Sequence, residues 1–229
     1  MTKADRAEVK RLRAELERRF RTVTRTLRVA EREVELLSPA NADDLISEDD
    51  YVMDERLPYW ADLWPSAQIL ANEVALMRLK GLRVLELGCG LGVVAMGAAM
   101  AGADVVATDY YDDALLFATL NVAEATGVEI QSRMVNWASM PSGLGKFDVV
   151  LASDVLYEHR YASLVADAIA LTLRKGGEAI VADPGRIALD AFREECLERG
   201  IVSEPDPRPF REGEISQTVT LWRLRWSTE

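Results

Sequence analysis

The sequence predicts a doubly wound α/β fold, a parallel sheet with helices on both faces, on three observations. Short apolar runs alternate with longer segments of helical spacing through most of the chain. Apolar residues 84–87 lead into Gly88, Gly90 and Gly92, a pattern typical of a strand, a tight turn and a helix start. Successive predicted strands end in Gly, Asp, Trp and Asp-x-x-Tyr, residue types suited to a ligand at the carboxyl edge of such a sheet.

Composition limits the classes of function. A chain of 229 residues with 49% apolar residues has enough material for one large domain with a small appendage. The net charge of −11 argues against nucleic acid as a partner. It is compatible with a cationic substrate, but many proteins without such a substrate are also acidic. Cys89 and Cys196 lie far apart in sequence, which indicates a reducing, cytoplasmic compartment. We expect no membrane span, no secretory signal and, with one histidine, no metal site.

The N-terminal part reads as a small extension. Residues 4–20 predict a basic helix with one apolar stripe, formed by Val9, Leu12, Leu16 and Phe20. This helix either docks a partner or packs on the domain through that stripe. Residues 22–29 and 31–37 alternate in polarity and predict two short strands, and residues 38–50 predict a loop. We therefore divide the chain into an extension, 1–57, and a main domain, 58–229.

The main domain opens with an aromatic segment bracketed by Pro58 and Pro65. Its two indoles, Trp60 and Trp64, either line a pocket or anchor the core. A helix is expected over residues 67–80, ended by Gly81.

The rest of the domain alternates strands and helices. Asp109 ends the second strand, and Asp112 is expected to cap a helix that Gly127 stops. Gly176-Gly177 predicts a turn before the fifth strand. The remaining elements are expected as strands over 129–135, 147–152, 178–182 and 215–226, and as helices over 161–174 and 187–199.

The spacing around the glycine turn favours an adenosyl group over a dinucleotide. Asp109 follows Gly88 by 21 positions, which suits a carboxylate that accepts hydrogen bonds from ribose hydroxyls. A dinucleotide fingerprint requires a third glycine at position 93, where this chain has Val93.

The pattern E-x-G-x-G-x-G that begins at Glu86 resembles motif I of class I S-adenosylmethionine-dependent methyltransferases. The resemblance implies a Rossmann-like sheet of seven strands, mostly parallel with an antiparallel C-terminal strand, and S-adenosylmethionine as cofactor. It implies that the turn from Glu86 through Gly88, Cys89 and Gly90 passes the methionine and ribose, with the Cys89 N–H available, and that Asp109 holds the ribose. Asn136, where class I enzymes commonly carry Asp, would meet the adenine amine, and Trp137 would stack on the base.

A narrower resemblance covers most of the chain from Tyr59 onward. The aromatic segment, Trp137 and the Asp-x-x-Tyr sequence are similar to the "DxxY" methyltransferases, which mainly modify protein lysines. Residues 183–186 and 218–222 are similar to the branch that modifies the electron transfer flavoprotein β-subunit, which makes that protein a candidate partner. By this resemblance Trp64 and Ser153 also touch the cofactor, while Asp154 and Tyr157 border the substrate amine.

These residues predict an N-methyltransferase for protein lysines. Since the methyl of a sulfonium is already activated, positioning and exclusion of water supply most of the catalysis. A carboxylate favours ammonium, so Asp154 is assigned to orienting the amine, with proton loss to solvent, and Tyr157 to a wall of the site. Alternatives are a small-molecule amine or another protein side chain as acceptor, an NAD-dependent oxidoreductase, and a non-catalytic scaffold. Asp154 could instead cap a helix, and Arg186 either meets an acidic group or belongs to a plain turn.

Overall fold

The computed structural model describes residues 2–45 and 58–228. Part of the predicted loop, residues 46–50, and the boundary at residue 57 lie outside them. The helices are α1 (Arg6–Arg19), α2 (Pro65–Ala75), α3 (Val93–Met100), α4 (Asp112–Thr126), α5 (Tyr161–Thr172) and α6 (Leu189–Glu198). The strands are β1 (Thr2–Lys3), β2 (Thr22–Val29), β3 (Arg32–Pro39), β4 (Arg83–Leu87), β5 (Asp104–Asp109), β6 (Val128–Glu129), β7 (Gln131–Met134), β8 (Phe147–Ser153), β9 (Leu173–Asp183), β10 (Ile201–Glu212) and β11 (Ile215–Trp226).

The main sheet has seven strands in the order β10-β11-β9-β8-β4-β5-β7. Strands β9, β8, β4, β5 and β7 are parallel, and β11 pairs antiparallel with both β9 and β10. The apolar residues of central strands β4 and β8 are buried because hydrophobic clusters cover both faces of the sheet. The predicted fold class and its antiparallel C-terminal strand are confirmed.

Strand β10 is absent from the pattern-based prediction, although the seven-stranded resemblance requires a further strand. Its sequence carries Pro205, Pro207 and Pro209, which read as a loop. The three prolines stand at every second position of an edge strand, so their nitrogens share the border that faces away from β11. Proline lacks an N–H, and that border requires no donor.

Three local predictions were wrong. Helix α2 ends at Ala75 instead of residue 80, because the chain turns there to bury Leu79 while Leu76 is exposed. Asp112 is the first residue of α4 and Tyr111 occupies the cap position without a side-chain hydrogen bond. Strand β9 begins at Leu173, and the Gly176-Gly177 pair forms an irregularity within it instead of a turn before it.

The N-terminal elements form as expected. Strands β2 and β3 pair as an antiparallel hairpin, and α1 packs its apolar stripe against the main core, with Leu16 fully buried. Arg13 on α1 donates two hydrogen bonds of 2.7 and 2.6 Å to the carboxylate of Glu124 on α4. Packing through the stripe is therefore confirmed, and the division at residue 57 stays a prediction, since both parts share one hydrophobic cluster.

A buried asparagine joins the hairpin to the glycine turn. Asn121 on α4 accepts a hydrogen bond from the Leu37 N–H, and its amide nitrogen donates to the carbonyls of Leu37 and Leu91. Across residues 2–45 and 58–228, none of the helices is both long and apolar enough to cross a bilayer.

Candidate active site

A cavity of about 300 Å³ opens at the carboxyl ends of β4, β5, β7 and β8, where parallel sheets of this topology bind ligands. Ten of the eleven predicted site residues line it: Trp64, Gly88, Cys89, Gly90, Asp109, Asn136, Trp137, Ser153, Asp154 and Tyr157. Glu86 is not among its lining residues. The crevice is therefore open and is not plugged by the protein's own side chains.

Gly88 and Gly92 allow close approach of different parts of the structure. Gly88 has φ +70°, and a Cβ there would lie 3.1 Å from Val155 Cγ1 and 3.4 Å from the Trp137 ring. Glycine at this position therefore leaves free space on the cavity side of the turn. Gly92 faces α4, where a Cβ would lie 2.6 Å from the Ala118 Cα, so this glycine lets two helices approach closely.

Asp109 connects the end of β5 to the glycine turn. One carboxylate oxygen accepts the Gly90 N–H at 2.9 Å, and the other accepts the Tyr111 N–H at 3.1 Å. Burial raises the pKa of Asp109, and the backbone hydrogen bonds oppose that shift. The carboxylate also lines the cavity, where it can accept hydroxyl donors of a ligand.

Two residues of the turn differ from their predicted use. The Cys89 N–H donates to the Thr108 carbonyl at 2.9 Å, so it is already engaged within the protein. The Cys89 thiol is buried, and burial raises its pKa well above the ordinary value. Glu86 is 1% exposed behind the turn, and burial raises the pKa of its carboxyl well above the ordinary value. One Glu86 oxygen lacks a hydrogen-bond partner among the described residues.

Asn136 and Trp137 follow β7 and form the next wall. Asn136 accepts the Ala138 N–H at 2.9 Å, which starts a short 3-10 helix and fixes the direction of the indole beside it. Trp137 lies against Gly88 and packs edge-on to Tyr161, with ring centroids 5.5 Å apart. Its ring is therefore held beside the glycine turn, as an adenine-stacking residue requires.

Further aromatic rings line the cavity. The ring of Tyr157 packs edge-on against Tyr59 and Tyr161, with centroids 4.8 and 4.9 Å away. Trp64 lines the cavity and donates its indole N–H to the Tyr59 carbonyl, whereas Trp60 is buried against Phe117 in the core. Both indoles therefore line the cavity, and Trp60 is also anchored in the core. Burial raises the pKa of Tyr157, so its hydroxyl stays protonated at neutral pH.

Asp154 is buried, and two side chains form hydrogen bonds with its carboxylate. It is 7% exposed and adopts φ +58°, an uncommon backbone conformation for a residue other than glycine. Its carboxylate accepts the Ser66 hydroxyl at 2.9 Å and the Arg186 Nε at 2.5 Å. The next helix, α5, starts at residue 161, so Asp154 does not cap it. Arg186 meets an acidic group, as one of its two interpretations proposed.

Some residues in or beside the cavity have no individual signal in the sequence. Ser66 is a serine at the start of α2, and its hydrogen bond to Asp154 joins positions 88 residues apart. Tyr161 could have been found, because it follows Tyr157 by four residues and lines the same cavity. Tyr110 and Tyr111 line it next to Asp109 and were likewise missed.

Comparison with known proteins identifies the family. The model of the lysine methyltransferase family matches residues 60–188, more than half of the chain. The chain belongs to the lysine methyltransferase family. The resemblance to methyltransferases described above is thereby confirmed at the level of the family.

Two relatives of this chain are named as lysine methyltransferases. The electron transfer flavoprotein beta subunit lysine methyltransferase of Mus musculus is 32% identical over 143 residues, covering 56% of this chain and 51% of that protein. The protein N-lysine methyltransferase METTL21A of Danio rerio is 35% identical over 113 residues, covering 45% of this chain and 50% of that protein. The chain spans about half the length of the curated relatives it matches.

A solved methyltransferase shares the fold. Magnesium protoporphyrin IX methyltransferase from Synechocystis PCC 6803, crystallised with bound SAM, superposes with a TM-score of 0.58 at 22% identity. The match covers 70% of this methyltransferase and 80% of that chain. This similarity confirms the Rossmann-like architecture.

Proposed function

We propose that this methyltransferase transfers a methyl group from S-adenosylmethionine to the side-chain amine of a protein lysine. The observation that carries the proposal is one cavity with two unlike walls. The wall formed by Gly88, Asp109 and Trp137 suits an adenosyl group, and the wall formed by Asp154 and Tyr157 suits an amine. Membership of the lysine methyltransferase family supports the same reaction.

The cofactor half fits the group it is proposed to hold. Asp109 offers a cavity-lining carboxylate to the ribose hydroxyls, Trp137 offers a flat face to the adenine, and Gly88 leaves the space a side chain would fill. Trp64, Gly90, Asn136 and Ser153 complete this wall, and we assign Cys89 to it through atoms other than its N–H. Glu86 remains assigned to the cofactor site, which it would support from its buried position behind the glycine turn. When bound, S-adenosylmethionine supplies an electrophilic methyl group.

The acceptor half orients the amine. Lysine is mostly ammonium at pH 7 and must lose a proton before its nitrogen can attack. Asp154 would accept a hydrogen bond from the amine through a remaining lone pair, and the proton would leave to solvent. The rings of Tyr59, Tyr157 and Tyr161 limit access of water, which keeps the nucleophile aligned.

A protein partner follows from the related enzymes. The name of the Mus musculus relative makes the electron transfer flavoprotein β-subunit a candidate substrate of this chain. The net charge of −11 favours approach of a basic, lysine-bearing surface. Both cysteines are free and buried, which supports a reducing cytoplasmic location.

The proposal is tested by labelling. A lysate of the source organism lacking this gene is incubated with the protein and tritiated S-adenosylmethionine, and labelled proteins are identified by mass spectrometry. We expect one or a few proteins methylated on lysine. An Asp154→Ala variant should bind the cofactor in calorimetry but label nothing. Label confined to small molecules, or to side chains other than lysine, would contradict the proposal.

A further inference from the structure

The acceptor wall contains a charge pair that the reaction outlined above does not explain. Arg186 donates its Nε to Asp154 at 2.5 Å, and its guanidinium lies 5.3 Å from the ring centroid of Trp64. The Asp154 side chain is 4% exposed and that of Arg186 is 34% exposed. The carboxylate assigned to the amine is therefore already neutralised by a protein cation.

The chain builds this pair from three separate segments. Asp154 follows β8, Ser66 belongs to the start of α2, and Arg186 follows β9. Asp183 at the tip of β9 accepts the N–H groups of Gly185 and Arg186 at 2.7 Å, which fixes the loop that carries the guanidinium. Such convergence indicates a positioned pair, since an incidental surface contact would not require a buried serine and a structured loop.

We infer that Arg186 is a charge-compensating positioning residue, which lets Asp154 orient the lysine amine without retaining the proton on it. The inference rests on the proposed function. A lone buried carboxylate beside the amine would stabilise the ammonium form, which has no lone pair for attack. The ion pair has no net charge, so Asp154 keeps its directional hydrogen bond and loses most of its preference for a cation.

Other charged groups near the amine position do not replace Arg186. The titratable and charged side chains that face this region come from the aromatic segment, the loop after β8 and the tip of β9: Tyr59, Asp62, Tyr157, Glu158, Arg160, Tyr161 and Asp183. Glu158 and Arg160 form an ion pair with each other at 2.7 Å. Loss of Arg186 would leave the Asp154 carboxylate close to that of Asp183 without the compensating cation.

The test is the pH dependence of methyl transfer, measured as initial rates of tritium incorporation into protein of the gene-deleted lysate. In Arg186→Gln the profile should move about one unit toward alkaline pH, so that the rate falls about tenfold at pH 7 and recovers at high pH. Arg186→Lys keeps the positive charge and should keep the wild-type profile. Arg193→Gln, which removes a guanidinium lying over Trp222, is the matched control and should change nothing.

Asp154→Asn supplies an opposite test that does not depend on the Arg186→Gln variant folding. It leaves an unpaired guanidinium, so its residual activity should move toward acid pH. Calorimetric binding of S-adenosylmethionine verifies that each variant is folded. The inference would be overturned if Arg186→Gln lowered the rate by the same factor at every pH. It would also be overturned if the pH profile of Arg186→Lys were displaced as far as that of Arg186→Gln. A wild type that labels no lysate protein removes the proposed function and this inference with it.

Discussion

At the scale of single residues, Asp109 has two roles in one carboxylate. It accepts the Gly90 N–H of the glycine turn and also lines the cavity. Sequence spacing predicts the position of this acid, because strand length and turn length determine where it falls. The carboxylate's bond to the turn was not predictable, since it depends on how two loops meet in space.

Replacement of Asp109 by Ala should abolish cofactor binding. Two charge-assisted hydrogen bonds to ribose hydroxyls are worth about 3 kcal/mol or more together, so calorimetry should show affinity for S-adenosylmethionine reduced at least about 100-fold. Asp113→Ala is a matched control, because Asp113 lies in the first turn of α4, pairs with Arg19 and is not among the residues that line the cavity. Unchanged affinity in Asp109→Ala would remove the ribose assignment.

At the scale of elements, the contact between α3 and α4 depends on Gly92. The glycine has φ +79° and stands where α3 begins, and a Cβ added to it would lie 2.6 Å from the Ala118 Cα. The sequence predicts the glycine turn as a whole. It assigns Gly88 and Gly90 to the ligand and gives Gly92 no role of its own, whereas the structure shows that Gly92 is required by packing between helices.

Gly92→Ala should destabilise the fold by about 2–5 kcal/mol, the sum of a left-handed backbone penalty and a steric overlap with α4. Urea unfolding monitored by circular dichroism measures this loss. Gly81→Ala has nearly the same φ, +80°, but nothing lies within 4 Å of its added carbon, so it should cost about 1–2 kcal/mol. Equal losses in the two variants would show that the overlap with Ala118 does not matter.

At the scale of the whole molecule, the N-terminal hairpin and the methyltransferase core are one packed unit. Asn121 is fully buried and bonds to both Leu37 and Leu91. The alternation of β2 and β3 and the stripe of α1 were readable from the sequence because they are local periodicities. The Asn121 bridge was not, because an asparagine within a helix has no local pattern that distinguishes a buried one.

Asn121→Ala should therefore loosen the hairpin. It leaves the Leu37 N–H and two carbonyls without their partner, which should lower the free energy of unfolding by about 3 kcal/mol or more. Hydrogen exchange at the Leu37 amide should accelerate markedly. The exposed Asn41 is the control, and Asn41→Ala should change stability by less than about 1 kcal/mol. Protection of the Leu37 amide equal to wild type would show that the hairpin does not depend on this bridge.

The prolines of β10 have a consequence for how other proteins can attach. A neighbouring chain can lengthen a sheet when its backbone forms hydrogen bonds with an open edge strand. The proline nitrogens of β10 carry no hydrogen, so this edge cannot donate those hydrogen bonds. Polymerisation through this flank is thereby blocked at the level of main-chain chemistry. A protein substrate of the proposed reaction would therefore have to be recognised by side chains and not by strand addition at this edge.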